Sequence, residues 1–184
     1  TTVESVLTRQ QLEQVIETLK EECPDILIVT ARPELYEGMG VRLFSDEYQG
    51  KGPLAGVHAA LSNARSRYVY LLACDMPVVS LPFIRHMKVC LQESGADVCV
   101  CKRNDRLEPF NTFYSRELLP EVTHRLTTGN SSLFRFINGS RACVIPQEDA
   151  ARFDKELNMF TNINTRTEYE KYLGTTAEEP EGEG

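Results

Sequence analysis

Residues 68–80, YVYLLACDMPVVS, place a carboxylate directly behind an apolar run. The run at residues 68–73 has the continuous apolar pattern of a strand that is buried on both faces of a parallel sheet. Asp75 follows at the carboxyl end of this strand, and open α/β sheets bind their ligands at that end. The stretch therefore predicts a buried parallel strand and raises the question of what the carboxylate does.

The position of Asp75 supports two roles. Its carboxylate can emerge from the core into a cleft and hold a hard cation such as Mg²⁺, which favours one or two carboxylates together with substrate phosphates. It can equally accept a hydrogen bond from a backbone N–H and cap the turn before Pro77. Neither hypothesis is favoured by position alone.

Apolar strand patterns alternate with helical periodicity along the rest of the chain. Strands are predicted at residues 26–30, 41–44, 68–73, 97–101, 110–114, 142–145 and 160–163. Helices are predicted within residues 1–22, starting at a capping box of Thr1 and Glu4, and at residues 54–64, 82–93, 116–126, 131–137 and 165–173. This alternation is typical of a three-layer α/β fold with a mostly parallel sheet, here as a single domain over residues 1–173.

Composition argues against several classes of function. The 184 residues carry a formal net charge of −7, so non-specific binding to nucleic acid, which needs clustered Lys and Arg, is not expected. No apolar run reaches the roughly 18 residues of a membrane span. Residues 174–184 include the acidic stretch EEPEGEG and are predicted to be a disordered tail. The six cysteines form no CxxC pair, which argues against a zinc site and favours a reducing, cytoplasmic location.

A second candidate site is the glycine-rich turn at residues 50–56, GKGPLAG, which leads into a predicted helix. Backbone N–H groups at a helix start, approached closely through glycines, suit a phosphate or the edge of a nucleotide. The spacing is not that of a P-loop, GxxxxGK[ST]. The motif by itself is weak, and a plain loop is the simpler interpretation.

Together, GKGPLAG and the ACDMP turn at residues 73–77 resemble the molybdenum cofactor guanylyltransferases, which are MobA-like nucleotidyltransferases. The resemblance continues in the family's order over most of the chain. Its further segments are FSD at residues 44–46, EPFNTFYSRELLP at residues 108–120, TGNSSL at residues 128–133 and FTNINT at residues 160–165. Arg166 stands where the family's FxNINTPE segment usually has proline.

This resemblance implies a Rossmann-like nucleotidyltransferase fold and Mg²⁺-dependent transfer of GMP from GTP to molybdopterin, with release of pyrophosphate. It implies that Asp75 holds the Mg²⁺ between the nucleotide phosphates and the attacking phosphate. Asn162 and Asn164 would line the acceptor side or orient the metal shell, although stabilising a turn is an open alternative for both. The nucleoside would be bound by Asp46 and by the backbone of Gly52, Pro53, Leu54, Ala55 and Gly56. Contact with the preceding enzymes of molybdenum cofactor biosynthesis is also implied.

The family's opening strand and its triphosphate loop, LAGGxSxRMGxxK, have no counterpart in this sequence. We expect that an N-terminal segment is missing from this chain, because a sheet without its central strand leaves unpaired backbone groups and an exposed apolar face. A genuine absence is the alternative. Two other functions stay open: a related nucleotidyltransferase that uses CTP or another acceptor, and a non-catalytic homologue that binds a partner in cofactor biosynthesis.

Other polar residues are weaker candidates. His58 follows the GPLAG turn and is expected to be exposed or packed rather than catalytic. Lys51 either meets a phosphate or stays free in its loop. Arg103, Arg106 and Glu108 form a charged loop that is expected either to be solvated or to touch the acceptor.

Overall fold

The computed structural model describes residues 7–163, 167–168 and 170–171. The helices are α1 (Arg9–Lys20), α2 (Pro53–Asn63), α3 (Leu81–Ser94), α4 (Leu119–Thr127), α5 (Leu133–Gly139) and α6 (Gln147–Ala150). The strands are β1 (Leu27–Val29), β2 (Arg42–Phe44), β3 (Tyr68–Leu71), β4 (Val98–Arg103), β5 (Arg106–Ser115) and β6 (Ala142–Pro146). Short 3₁₀ turns lie at Pro33–Leu35, Arg116–Leu118 and Asn158–Phe160. Among these residues, no helix has both the length and the apolar character needed to cross a bilayer.

The described strands form two sheets. β1 pairs with β2 in parallel, and the larger sheet has the order β3-β5-β4-β6. β4 pairs with β6 in parallel, while β5 runs antiparallel to both β3 and β4. Three strands of the larger sheet therefore point in the same direction, which confirms the predicted mostly parallel sheet, and β5 is reversed.

Helices cover both faces of the larger sheet, and this arrangement gives the three predicted layers. Successive side chains of a strand point to opposite faces. Val98 and Val100 of β4 accordingly pack against α2, α4 and α5 on one face. Cys99 and Cys101 pack against α3 and α6 on the other face, so the cysteines serve as small buried core residues.

The strands nearest the candidate site are less covered than β4. Every residue of β1, β2 and β3 is half-buried, whereas the first four residues of β4 are fully buried. Within the described part of the chain, β1 pairs only with β2 and β3 pairs only with β5. Because α2 contacts both β1 and β3, the two sheets lie under one shared helix.

α1 begins at Arg9 with a capping box. The Thr8 side chain accepts a hydrogen bond from the Gln11 N–H at 3.2 Å, and the Thr8 N–H donates to Gln11 Oε1 at 2.7 Å. These reciprocal bonds satisfy two donors that a helix start otherwise leaves free. The box predicted at Thr1 and Glu4 lies outside the described residues.

β4 and β5 form a hairpin that the sequence prediction did not include. Asn104 and Asp105 make its two-residue turn, with φ values of 46° and 61°. Asn and Asp tolerate this left-handed conformation, which a two-residue type I′ hairpin turn requires at both central positions. As a result β5 begins at Arg106, earlier than the predicted start at Phe110.

The strand predicted at residues 160–163 is wrong. The chain instead forms the 3₁₀ turn Asn158–Phe160 after Leu157, whose φ is 54°, and residues 161–163 belong to no strand. Backbone hydrogen bonds of about one turn's span replace the ladder bonds there. The helix predicted at residues 165–173 and the acidic tail fall largely outside the described residues.

Arg42 forms an ion pair with Asp25 whose contribution to the free energy of unfolding depends on pH. Its guanidinium donates to both carboxylate oxygens of Asp25, at 2.9 and 2.5 Å, and this pairing lowers the pKa of Asp25. A lowered pKa adds stability above the unfolded value of about 3.9, and the contribution is lost as the pH falls through the folded value.

We predict that Asp25→Asn lowers the free energy of unfolding by about 1 kcal/mol at neutral pH. The difference between the variant and the wild type should shrink as the pH falls below about 4, because the unfolded wild type then takes up a proton while the pKa of the paired Asp25 is still lower, and the difference is lost as the pH falls through that lowered pKa. Urea unfolding at pH 7 and pH 3 measures both values. An equal difference at the two pH values would contradict the contribution of the charged pair.

Candidate active site

Asp75 lies in the turn that follows β3, and the backbone alone closes this turn. The Met76 N–H donates to the Ala73 carbonyl at 3.0 Å. Within the described residues, the Asp75 carboxylate takes part in no hydrogen bond or salt bridge. The turn-capping role that its position allowed is not observed. The half-buried side chain is therefore free to meet a ligand.

The start of α2 offers uncapped backbone donors. Gly52 is the N-cap, with φ 74° and ψ −164°, and no side chain forms a capping hydrogen bond there. Pro53 occupies the first helical turn, where its missing N–H costs nothing. The side chains of Leu54 and Ala55 are fully buried, so these residues can present only their backbone to a ligand. The Ala55 N–H already donates to the Gly52 carbonyl at 3.0 Å. Uncapped N–H groups at a helix start favour a negatively charged or acceptor group.

Asp46 shapes the loop between β2 and α2. Its Oδ1 accepts a hydrogen bond from the Tyr48 N–H at 2.7 Å, which is an Asx turn. Oδ2 has no hydrogen-bond partner among the described residues. Asp46 therefore organises its own loop and retains one oxygen for a ligand.

Arg42 establishes how α2 is oriented against β2. Its Nη1 donates to the carbonyl of Asn63, the last residue of α2, at 2.9 Å. The end of α2 thus meets the start of β2. We infer that the helix runs antiparallel to β2, so that Gly52 lies towards the carboxyl end of β2, which Asp46 follows. Because β3 begins five residues after α2 ends, we infer that Asp75, which follows β3, emerges at the same edge as Gly52 and Asp46. No hydrogen bond joins these three residues to one another in the described structure.

The segment that contains Asn162 is bonded to the Asp75 turn. The Ile163 N–H donates to the Asp75 carbonyl at 2.7 Å. Asn162 is exposed and lies one residue before this bond, so its backbone is held beside the turn. The structure therefore brings Asn162 and Asp75 together. Asn164 lies outside the described residues.

The charged loop after β4 is not freely solvated, because Arg103 and Glu108 form an ion pair within it. Arg103 Nε donates to Glu108 Oε1 at 2.7 Å across the hairpin, and both side chains are largely buried. Arg103 Nη2 also donates to the Phe160 carbonyl at 3.4 Å. The pair therefore holds the chain that leads to Asn162, while Arg106 is exposed.

His58 and Lys51 differ sharply in their surroundings. His58 is packed rather than exposed, and its ring meets the Tyr48 ring edge-on with centroids 4.8 Å apart. Its Nδ1 is buried without a hydrogen-bond partner among the described residues. Lys51 is exposed, and no partner is recorded for its ammonium group in this part of the chain.

The available donor set fits Mg²⁺ better than a metal that requires several protein ligands. In the part of the chain that the structure describes, no cluster of three or more His, Cys, Asp or Glu side chains is arranged to hold a metal ion. At the inferred ligand edge, the Asp75 carboxylate is unpaired among the described residues, and Asp46 retains one unpaired oxygen. Mg²⁺ is commonly held by one or two carboxylates, water and substrate phosphates, so Asp75 would hold it only together with a bound nucleotide.

Asn111 lies next to the Asp75 turn, and no sequence motif predicted a role for it. This amide is completely buried, and its Nδ2 is 3.9 Å from the Met76 sulfur. Asn is one of the few residues that tolerate a left-handed backbone, which is the conformation of Asn111 with φ 55°. The residue type was therefore the one available signal, and its partners lie far away in the sequence.

Comparison with known proteins identifies the family to which the chain belongs. Residues 5–144 match the model of the MobA-like NTP transferase domain. The chain belongs to this family. It is therefore a nucleotidyltransferase, as the sequence motifs implied. The MobA-like domain includes β1 to β5, the turn at Asp75 and the start of α2.

Two relatives of this MobA-like chain show how far the similarity extends. The chain is 43% identical to the molybdenum cofactor guanylyltransferase of Syntrophotalea carbinolica over 80% of its own length and 70% of the relative's. It is 37% identical to the probable molybdenum cofactor guanylyltransferase of Peptoclostridium acidaminophilum, over 84% and 72% of the two chains.

Solved structures support the fold. The chain resembles molybdopterin-guanine dinucleotide biosynthesis protein A from Archaeoglobus fulgidus with a TM-score of 0.70 and 24% identity, covering 89% of this chain and 85% of that one. A putative protein from Aquifex aeolicus gives a TM-score of 0.69 at 21% identity. At these identities the similarity shows the three-layer α/β fold.

Proposed function

We propose that this MobA-like protein transfers GMP from GTP to molybdopterin in a Mg²⁺-dependent reaction that releases pyrophosphate. The observation that carries the proposal is the 43% identity to a molybdenum cofactor guanylyltransferase over 80% of the chain. The free Asp75 carboxylate and the uncapped start of α2, which lie at one edge, are consistent with it.

The proposed chemistry is a single displacement at phosphorus. An oxygen of the terminal phosphate of molybdopterin forms a bond to the α-phosphorus of GTP, and the bond from that phosphorus to the bridging oxygen breaks. Pyrophosphate leaves with the electron pair. Mg²⁺, when bound, would neutralise part of the negative charge on the phosphates.

The protein contributes positioning and fixed charge. Asp75 supplies the carboxylate for the metal, and the backbone from Gly52 to Gly56, together with Asp46, holds the nucleoside. Asn162 lies beside the Asp75 turn and offers both a donor and an acceptor to the molybdopterin side without adding charge. Asn164 has the same proposed role.

A direct transfer assay tests this proposal. The intact protein is incubated with molybdopterin, Mg²⁺ and either GTP or CTP, and pyrophosphate release is followed together with the mass of the product. We expect a guanine dinucleotide product with GTP. A product formed only with CTP would assign the alternative nucleotide, and no transfer with either would support a non-catalytic binding role.

We also propose a cytoplasmic location, because all six cysteines are free thiols. Handover of molybdopterin from the preceding biosynthetic enzyme would bring the two proteins into contact. Co-purification of the two enzymes from cell extract would test that contact.

A further inference from the structure

β5 contains a large bulge next to the Asp75 turn. Cys99 of β4 pairs with Phe113, but Cys101, only two residues later, pairs with Glu108. Val100 of β4 thus opposes four residues of β5, residues 109–112, and these extra residues leave the regular ladder with β4. Bulges of this kind re-aim side chains and are common beside active sites.

The side chains of the bulge satisfy its own free carbonyls. The Thr112 hydroxyl donates to the Glu108 carbonyl at 2.6 Å, and the Tyr114 hydroxyl donates to the Pro109 carbonyl at 2.6 Å. Both donors are in buried residues. The bulge is therefore a defined conformation and not a local loss of order in the strand.

Asn111 lies at the centre of this bulge with φ 55° and no exposed surface. Its Oδ1 accepts a hydrogen bond from the Tyr70 hydroxyl, and its Nδ2 donates to the Met159 carbonyl. Burial raises the pKa of Tyr70, so its hydroxyl keeps its proton and acts as the donor. That donor fixes the amide orientation, because Oδ1 must face Tyr70 and Nδ2 must face Met159.

Asn111 therefore joins three elements at one point. Tyr70 belongs to β3, whose end leads into the Asp75 turn (residues 73–77). Met159 begins the Asn162 segment (residues 159–163), which is bonded to the turn by the Ile163 N–H. We propose that Asn111 is a positioning residue that holds the Asp75 turn and the Asn162 segment in one arrangement for Mg²⁺ and acceptor binding. The part concerning Mg²⁺ and the acceptor rests on the proposed function.

The cost of this arrangement supports a positioning role. A left-handed non-glycine residue costs free energy, and such strain persists at functional sites where surrounding contacts hold it in place. A regular strand at residues 109–112 would avoid the strain but would take the amide away from the Met159 carbonyl. Because Asn111 is completely buried, it acts on ligands only through the two segments that it joins.

The substitution Asn111→Gly removes the side-chain amide but allows the backbone conformation of residue 111 to persist. Glycine adopts φ 55° without strain, so the bulge can persist while both amide hydrogen bonds disappear. We expect amide exchange at Ile163 in the full chain, measured by NMR, to become at least about tenfold faster, since a lost buried hydrogen bond is worth about that factor. Exchange in the β4–β6 ladder should not change.

Asn104→Gly is the matched control. Asn104 also has a positive φ, 46°, but lies exposed in the hairpin turn, and its side chain has no hydrogen-bond partner in the described residues. This variant should leave exchange at Ile163 unchanged. Unchanged exchange at Ile163 in Asn111→Gly would overturn the proposed linkage.

Steady-state kinetics distinguish a positioning role of Asn111 from a non-specific loss of activity. In Asn111→Gly we expect the Mg²⁺ concentration for half-maximal transfer to rise about tenfold, with less than about a twofold change in KM for GTP, because α2 is not touched. A lower kcat with unchanged Mg²⁺ dependence would overturn the positioning role. Absence of transfer by the wild type with accelerated Ile163 exchange in the variant would reject the proposed function and support the linkage.

Discussion

Asp75→Asn is expected to reduce GMP transfer by at least a factor of about 10² to 10³ while leaving the fold intact. The variant keeps the size of the side chain and removes its charge, so the amide cannot replace the carboxylate as a ligand for Mg²⁺. The free energy of unfolding should change by less than about 0.5 kcal/mol, because the Asp75 carboxylate has no hydrogen bond or salt bridge in the described structure.

Initial rates with GTP, molybdopterin and a Mg²⁺ series measure the effect on transfer. Urea unfolding of the same preparation measures the effect on stability. Asp97→Asn is the matched control, since Asp97 lies at the opposite edge, just before β4, and its carboxylate accepts a hydrogen bond from Arg141 at 3.1 Å. Asp97→Asn should retain transfer. Undiminished transfer by Asp75→Asn would show that the metal assignment is wrong.

The parts of the fold that were predictable follow from local patterns. The apolar run before Asp75 predicted a strand, and the structure has β3 at Tyr68–Leu71. The prediction that this strand is buried between parallel neighbours is wrong for the described residues, because β3 is half-buried along its length and pairs there only with the antiparallel β5. The glycine and proline before α2 likewise marked a helix start, which the structure places at Pro53. In both cases the signal and its cause lie within a few neighbouring residues.

The parts that were missed depend on distant partners. The bulge around Asn111 is stabilised by Tyr70 and by the Met159 carbonyl, which are 41 and 48 residues away in the sequence. Period-two alternation carries no information about such contacts. The same reason explains residues 160–163, where the bonds to the Asp75 turn and to Arg103 hold an irregular segment that looked like a strand.

Gly52→Ala is expected to weaken nucleotide binding by a factor of about 10 to 100, through the backbone alone. With φ 74° and ψ −164°, Gly52 occupies a region that is essentially restricted to glycine, and a side chain there costs about 1–3 kcal/mol. A Cβ at this position would meet no atom within 4 Å, so steric contact with neighbours does not contribute. The strain is relieved only if the chain before α2 rotates, and that rotation moves the uncapped N–H groups away from the ligand edge.

Gly95→Ala provides the comparison that isolates this effect. Gly95 caps α3 with φ 61° and ψ 22°, its Cβ would also meet no atom within 4 Å, and it lies at the end of the helix remote from the Asp75 turn. Alanine in this left-handed region costs about 1–2 kcal/mol, so both variants lose stability. Titration calorimetry with GTP and Mg²⁺ should show weaker binding only for Gly52→Ala. Equal affinity in the two variants would mean that the start of α2 does not bind the nucleotide.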